Sequence, residues 1–214
     1  MKIGWFFIFA RHILSHKDGS SEVMGRKRMK KLIWLLILVS ILCGCNSERS
    51  DTDRAMQIRT KMNHGAGCSF EAIITADYGD QLYTFSMACQ FDAKGDLTFT
   101  VQEPNTISGI TGKVTNSGGS LTFDDVALAF PLLADEQLSP VSAPWVMMQC
   151  MRSGFITSVG YVDDRLRLVI DDCYDEDALT AHIWLEDGSK PVMTEIYHNG
   201  RRILTLEVYD YRIK

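Results

Sequence analysis

The strongest local signal in the sequence is the stretch PVMTEIYHNGRRILTLEV, residues 191–208. The dipeptide Asn199-Gly200 stands between two runs rich in β-branched residues, which is the pattern of a two-residue hairpin loop. Around this loop we expect two cross-strand pairs: Ile196 with Ile203, and Thr194 with Thr205. The stretch therefore predicts that the chain ends in a β-hairpin.

Eight further runs alternate with a period of two and are separated by short turn sequences; they are residues 68–77, 80–91, 97–101, 108–116, 121–123, 155–162, 165–171 and 179–185. Helical spacing appears in residues 52–63, and Pro144 and Gly154 mark the start and the end of a second helix at residues 145–152. Because successive hairpins make antiparallel pairs, we expect a mainly β (α+β) fold. It is a single curved antiparallel sheet, or incomplete barrel, of about ten strands with helices on its concave face.

The stretch between the two groups of strands, residues 126–144, contains three prolines among large apolar residues. We interpret it as a helical plug on one face of the sheet. The alternative is a mobile lid or a docking surface, because long apolar connections are often functional.

The chain begins with an export signal. Residues 1–44 contain eight Lys and Arg against Asp18 and Glu22, so this segment carries +6 and residues 45–214 carry −11. Residues 24–44 combine a basic start with an apolar run, residues 32–42, that is too short to cross a hydrocarbon core of about 30 Å. This pattern is typical of a signal peptide, the alternative being an uncleaved membrane anchor.

The apolar run ends in Leu42-Cys43-Gly44-Cys45, which resembles the bacterial lipobox. The resemblance implies that Gly44 is the last residue removed and that Cys45 receives the lipid and becomes the new N-terminus. Residues 45–51 would then be a lipidated tether and residues 52–214 the folded domain. Residues 1–23 have no role in such a signal, so we expect translation to start at Met24 or Met29. The alternative is an unusually extended signal.

The composition of the exported part argues against several classes of function. An acidic domain is unsuited to a polyanion, so nucleic acid is not expected as a partner. The sequence contains no GxSxG, HExxH or phosphate-loop motif, and neither a metal site nor a cofactor is expected from its Cys and His spacing. One acidic group could supply carboxylates to an enzyme: Asp171, Asp172, Asp175, Glu176 and Asp177.

Four cysteines remain after export: Cys68, Cys89, Cys150 and Cys173. A two-residue loop at positions 78 and 79 would place Cys68 directly opposite Cys89, so the sequence predicts a disulfide there. A second bridge between Cys150 and Cys173 follows only by elimination. The alternative is that the thiols stay reduced and buried.

Large apolar side chains are more abundant than catalytic ones, and methionines cluster beside Trp145. Methionine suits an adaptable apolar groove, so Trp145, Met148 and Phe155 are the candidate lining of a binding groove. The alternative is that these residues belong to the hydrophobic core.

The lipobox, a short helix, successive hairpins, a Pro-rich insertion and the final hairpin together resemble the LolA/LolB-like lipoprotein fold. The chain is more particularly similar to the GerS-like germination lipoproteins of spore-forming bacteria, which act by binding a cortex amidase. The resemblance implies a non-enzymatic lipoprotein on the extracytoplasmic face of the cell membrane, anchored through Cys45, that binds an envelope protein or an acyl ligand. The alternatives are a cell-wall or lipid-acting enzyme using the acidic group, and a plain structural tether.

Overall fold

The computed structural model describes residues 46–134, 137–175 and 178–214. The predicted signal peptide, its cleavage site at Gly44 and the predicted lipidation site at Cys45 lie outside the described residues.

The described chain forms two α-helices, a single 3₁₀ turn at Pro140–Ser142 and thirteen strands. The helices are α1, Asn46–His64, and α2, Ala143–Ser153. The strands are β1 Gly67–Asp77, β2 Leu82–Asp92, β3 Leu97–Glu103, β4 Thr111–Thr115, β5 Gly118–Phe123, β6 Val126–Phe130, β7 Leu133–Ala134, β8 Gln137–Leu138, β9 Phe155–Val162, β10 Arg165–Asp171, β11 Leu179–Glu186, β12 Lys190–His198 and β13 Arg201–Ile213.

Eleven of these strands form one antiparallel sheet in the order β6-β5-β4-β3-β2-β1-β13-β12-β11-β10-β9. The two outermost strands, β6 and β9, do not pair with each other, so the sheet is open. Strands β7 and β8 form a separate two-stranded sheet. The predicted single antiparallel sheet with two helices is confirmed by this topology.

The prediction for residues 126–144 is wrong at its start, because residues 126–130 form the edge strand β6. Its turn, Asp124-Asp125, has φ angles of 46° and 64°, as a two-residue hairpin loop requires. The helix α1 is also longer than predicted, since it begins at Asn46 where a flexible tether was expected.

The closing hairpin forms around Asn199-Gly200, but its register is only partly as predicted. His198 pairs with Arg201 as expected, whereas Ile196 pairs with Leu204 and Thr194 with Leu206. An irregularity between Ile196 and Tyr197 inserts one residue of β13. A bulge of this kind shifts every later pair by one position, and the sequence does not reveal it.

One face of the sheet, called here the inner face, carries the hydrophobic core. On β1, for example, each of the five residues 68, 70, 72, 74 and 76 is buried, and their neighbours in the strand are less so. Strand β11 alternates in the same way from Leu179 to Leu185. This period of two is what a sheet with one covered face imposes on its strands.

Helix α2 supplies most of the cover on the inner face. Eight of its eleven residues are buried, including Met147 and Met148. Pro144 is compatible with the first turn, where its missing N–H needs no partner. Gly154 closes the helix against β10, where a Cβ would lie 2.6 Å from the Ile170 side chain.

Helix α1 is tied to α2 by one arginine. The Arg59 guanidinium donates hydrogen bonds to the carbonyl oxygens of Gly154 at 2.7 Å, Met151 at 3.1 Å and Cys150 at 3.3 Å. These carbonyls lie at the C-terminal end of α2, where the last turn leaves carbonyl groups short of helical partners and where a cation is favoured. The two helices therefore form one connected cover.

Candidate functional site

The predicted apolar groove is filled in the structure. Trp145 and Met148 are core residues of α2, with Met148 only 2% exposed. The Trp145 indole Nε1–H donates to the carbonyl oxygen of Gly95 at 2.9 Å, which fixes the ring between the helix and the β2–β3 turn. Beside Met148 there remains a cavity of about 20 Å³. A space of that size accommodates about one water molecule and is far too small for an acyl chain.

Phe155 does not join this pair in a groove. It is half-buried on the edge strand β9, and its ring packs on Tyr174 with 3.3 Å between the ring centroids. The two rings lie beside the connection between β10 and β11. The alternative noted for the three residues, that they serve packing, describes Trp145 and Met148.

The inner face contains two buried hydroxyl groups that lack partners. Ser142 Oγ and Thr194 Oγ1 are fully buried and have no hydrogen-bond partner among the described residues. Ser142 precedes α2, and Thr194 lies on β12. Buried polar groups are nearly always paired, so these two hydroxyls are the unexplained polar feature of the core.

The predicted position of Cys68 opposite Cys89 is wrong. Cys68 pairs with Phe91 and Cys89 with Phe70, because four residues, 78–81, separate the paired strands where a loop of two was expected. The Asp77 carboxylate accepts the Gly79 N–H at 2.7 Å and holds this longer turn. All four cysteines of the described chain, including Cys150 and Cys173, are free thiols. Burial raises the pKa of the Cys89 and Cys150 thiols well above the ordinary cysteine value.

Two carboxylates of the acidic group, those of Asp171 and Asp172, accept hydrogen bonds that join β10 and the loop after it to β11. Asp172 Oδ1 accepts the Leu179 N–H at 2.8 Å, and Asp171 Oδ1 accepts the Thr180 hydroxyl at 2.7 Å. Glu176 and Asp177 lie outside the described residues. Within the described chain, no group of three or more His, Cys, Asp or Glu side chains is arranged to hold a metal ion.

A cluster that the sequence did not reveal lies on the opposite, outer face of the sheet. Its centre is Glu195 on β12, which is 8% exposed. Its carboxylate accepts hydrogen bonds from the Arg202 guanidinium at 2.6 Å and from the Tyr197 hydroxyl at 2.9 Å. The cost of burying this charge is offset because both oxygens have a donor.

Aromatic and cationic side chains surround this carboxylate on β10–β12. We call the outer patch the five half-buried residues Arg167, His182, Trp184, Met193 and Tyr197. Cross-strand pairing brings them together, since Trp184 lies between Arg167 and Met193, and His182 pairs with Glu195. The His182 ring lies 4.6 Å from the Tyr197 ring and 6.2 Å from the Trp184 ring, measured between centroids.

The outer patch carries positive charge and is partly shielded from water. Burial, together with the charge of Arg167, lowers the pKa of His182, and burial and the hydrogen bond to Glu195 raise the pKa of Tyr197. Arg202 is paired with Glu195, whereas Arg167 has no carboxylate partner in the part of the chain that the structure describes. Next to Arg167 on β9 lies Gly160, where a Cβ would meet nothing within 4 Å. The Arg167 guanidinium therefore has room beside it for an incoming group.

A second exposed feature is the apolar hairpin of β5 and β6. Val126 and Leu128 are 69% and 63% exposed, and Phe123 is also exposed. The Phe130 ring lies across Gly119, where a Cβ would collide with it. At this end of the sheet the apolar residues thus lie largely outside the covered core.

Comparisons with known proteins find distant similarities in sequence and in fold. No family model matches the sequence. It is 27% identical over 154 residues to the membrane-bound lytic murein transglycosylase F of Shewanella loihica, a match that covers 69% of the chain and 32% of that protein. The chain thus spans about a third of the length of this curated relative. No helix of the described residues has the length and hydropathy needed to cross a membrane.

Two solved structures are similar in fold. A lipoprotein-sorting protein domain from Vibrio parahaemolyticus has a TM-score of 0.45 at 10% identity, covering 75% of this chain and 91% of that one. A LolA superfamily protein from Nitrosomonas europaea has a TM-score of 0.44 at 10% identity, covering 75% and 93%. Both similarities concern the fold.

Proposed function

We propose that this protein is a non-enzymatic, lipid-anchored module of the cell envelope that binds a protein partner through its outer patch. A diacylglyceryl group on Cys45 would supply the two acyl chains that stable anchoring needs. The domain would then lie on the extracytoplasmic face of the cell membrane. Replacing Cys45 by Ala should release the protein from the membrane fraction, and retention there would contradict the anchor.

The composition and position of the outer patch carry this proposal. Trp, Tyr, Arg and Met are the residues most enriched at the centres of protein interfaces. Here four of the five patch residues are of these types, and they surround an ion pair between Glu195 and Arg202. A half-buried cluster of this composition offers rigid aromatic anchors together with the Arg167 guanidinium, which has no carboxylate partner among the described residues.

Two observations favour a protein partner over the other functions considered. The cavity beside Met148 measures about 20 Å³, which is too small for an acyl chain at the predicted groove. The described carboxylates at Asp171 and Asp172 are engaged within their own loop. A protein partner is also what the resemblance to GerS-like lipoproteins implies.

The experiment is site-specific photocrosslinking in intact cells, with benzoylphenylalanine placed at Trp184 of the full-length protein. We expect a discrete crosslinked species whose second component is identified by mass spectrometry. Adding Arg167→Glu should reduce that species strongly, because the charge change removes the unpaired cation. Arg165→Glu is the matched control, since Arg165 is exposed at the start of the same strand and undergoes the same charge change.

Two results would contradict the partner hypothesis. One is the absence of a discrete crosslink at position 184 in membranes that contain the anchored protein. The other is a crosslink that Arg165→Glu and Arg167→Glu reduce equally, because such a loss reflects net charge and not the patch.

A second candidate function is the binding of an acyl ligand against the inner face. The observation in its favour is the pair of buried hydroxyls without partners, Ser142 Oγ and Thr194 Oγ1. If α1 and α2 moved away, both groups could donate to the ester or carboxylate oxygens of an acyl compound.

Native mass spectrometry of the detergent-extracted protein tests this second function. A co-purifying acyl species that is lost in Thr194→Val would support it, because valine keeps the volume and removes the hydroxyl. Protein that carries no mass beyond its own chain and anchor would contradict it.

A further inference from the structure

The apolar edge strand β6 is the feature that the proposed function does not use. Edge strands of soluble proteins are usually protected from pairing by charges, prolines, bulges or covering elements. The other edge of the sheet, β9, has such protection in an irregularity opposite Val169 and in Gly160. Strand β6 reads Val-Ala-Leu-Ala-Phe and contains no charge, glycine or proline, and its pairing with β5 is regular.

The backbone groups of β6 that point away from β5 can be assigned from the hairpin geometry. Phe123 pairs with Val126 across the two-residue loop, so this is a hydrogen-bonded pair. Hydrogen-bonded and non-hydrogen-bonded pairs alternate along an antiparallel ladder, so Leu128 and Phe130 also bond to β5. The N–H and C=O groups of Ala127 and Ala129 therefore face the open edge.

The sizes of the β6 side chains follow the same order in both directions, large-small-large-small-large, with Leu128 at the centre. The strand is bounded on one side by the turn at Asp125 and on the other by Pro131, which has no N–H to donate. The antiparallel register that pairs this whole run with a second copy places Leu128 opposite Leu128. It also places Val126 opposite Phe130, and Ala127 opposite Ala129.

We propose that β6 is the interface of a homodimer in which two copies pair their β6 strands antiparallel about a two-fold axis at Leu128. In that arrangement Ala127 and Ala129 of the two chains exchange four backbone hydrogen bonds. On one face of the joined sheet, Leu128 contacts Leu128 of the second copy, and Val126 contacts Phe130 of the second copy. The acidic turns at Asp124 and Asp125 lie at opposite ends of the paired strands, so like charges do not meet across the interface.

The two-fold register makes one cysteine substitution diagnostic. Leu128 and its copy form a non-hydrogen-bonded pair with Cα atoms about 4.5 Å apart, a separation that a disulfide spans. Val126 and its copy are four residues apart along the ladder, which is about 14 Å at about 3.4 Å per residue and beyond the reach of a disulfide. Both positions are highly exposed, so a cysteine at either one leaves the core intact.

The test is oxidation of membranes containing the full-length protein, with copper phenanthroline as oxidant, followed by non-reducing electrophoresis. Both variants, Leu128→Cys and Val126→Cys, are made in a Cys173→Ser background, because Cys173 is the native cysteine of the described chain that is not buried. We expect a disulfide-linked dimer with Leu128→Cys at a level at least about ten-fold above that with Val126→Cys. Any crosslink through Cys43 or Cys45 is common to both variants and is removed by the comparison.

Two outcomes would overturn the proposal. Equal crosslinking of the two variants would mean that the copies collide without a fixed register. Absence of the dimer with Leu128→Cys, in protein whose thermal unfolding matches that of the parent, would mean that β6 does not pair with its copy. The second variant Ala129→Pro, placed in the Leu128→Cys background, should abolish the crosslink, because it removes an outward N–H at a position where an edge strand tolerates proline.

Discussion

The two ends of the sheet follow the same strand chemistry but differ in what covers them. In β11 the residues Leu179, Ala181, Ile183 and Leu185 are all buried. In β6, Val126 and Leu128 occupy equivalent inner-face positions and remain more than half exposed. The same alternation of side chains thus produces a core at one end and an apolar surface at the other. An apolar strand face can therefore be buried by another element of the chain or by another molecule.

The difference arises from the reach of the helices. Helix α2 contacts β2, β10, β11 and β13, and α1 is held to its end by Arg59. An eleven-residue helix is about 16 Å long, which spans only a few strands at about 4.8 Å each. The sheet has eleven strands, so a helix of this length does not extend across all of them.

The largest expected effect compares the same substitution in the covered centre of the sheet and at its exposed edge. Leu206→Ala, in the covered part of β13, should lower the free energy of unfolding by about 2–5 kcal/mol, because it leaves a cavity in the core. Leu128→Ala, in β6, should change it by less than about 0.5 kcal/mol. Urea denaturation of dilute protein measures both values. Similar losses at the two positions would show that β6 is buried in solution.

The next effect tests the attachment of the cover. Arg59→Met keeps the aliphatic stem but removes three hydrogen bonds to the end of α2, and should cost about 1–3 kcal/mol. Arg54→Met is the control, because Arg54 makes one exposed hydrogen bond to the Tyr161 hydroxyl. Its cost should stay below about 0.5 kcal/mol in the same denaturation experiment. Equal costs would mean that Arg59 does not secure α2.

A smaller effect is expected at the contact between α2 and the β2–β3 turn. Trp145→Phe retains an aromatic ring and removes the donor to the Gly95 carbonyl, which also accepts from the Gln149 amide at 3.1 Å. Because that acceptor keeps one partner, the loss should be about 1 kcal/mol. Phe123→Leu, at the exposed end of β5, should be within about 0.5 kcal/mol of the parent. A Trp145→Phe protein as stable as the parent would contradict the role of this bond.

The smallest effect concerns pH and the outer patch. Burial lowers the pKa of His182 in the folded protein, so between the folded and unfolded values the unfolded chain binds more protons. The stability that this histidine contributes is complete above its unfolded pKa of about 6.5 and is lost as the pH falls toward the folded value. His182→Gln should therefore flatten the decline of Tm below about pH 6.5. If the Tm of the His182→Gln variant falls with pH as steeply as that of the parent, other titratable groups cause the decline.

Much of the fold could be predicted from local patterns. Ten strands, the helix after Pro144 and the hairpin at Asn199-Gly200 follow from periodicity and turn residues, which act over a few residues. Strand β6 was missed, although Asp124-Asp125 repeats the Asp163-Asp164 pattern that joins β9 to β10, and all four residues have positive φ angles. The prolines at positions 131, 140 and 144 disfavour a strand in the stretch as a whole and hide the strand at its start.

The candidate site could be predicted far less well. Trp145, Met148 and Phe155 lie close together in the sequence, but packing separates them into core and edge. Glu195 and His182 are thirteen residues apart in sequence and become neighbours only because β11 pairs with β12. Side chains on three strands form the outer patch, and the pairing register decides which of them meet.

The sequence by itself determined the class of fold, the two helices, most of the turns and the acidic character of the domain, because each depends on local periodicity, turn chemistry or composition. The tertiary structure alone decided the registers of β1–β2 and β12–β13, the free state of the cysteines, the filling of the predicted groove and the assembly of the outer patch. Loop length and bulges set register one residue at a time, and a shift of one residue changes every cross-strand neighbour. Contacts between distant segments depend on those registers, which is why the site emerged only from the folded sheet.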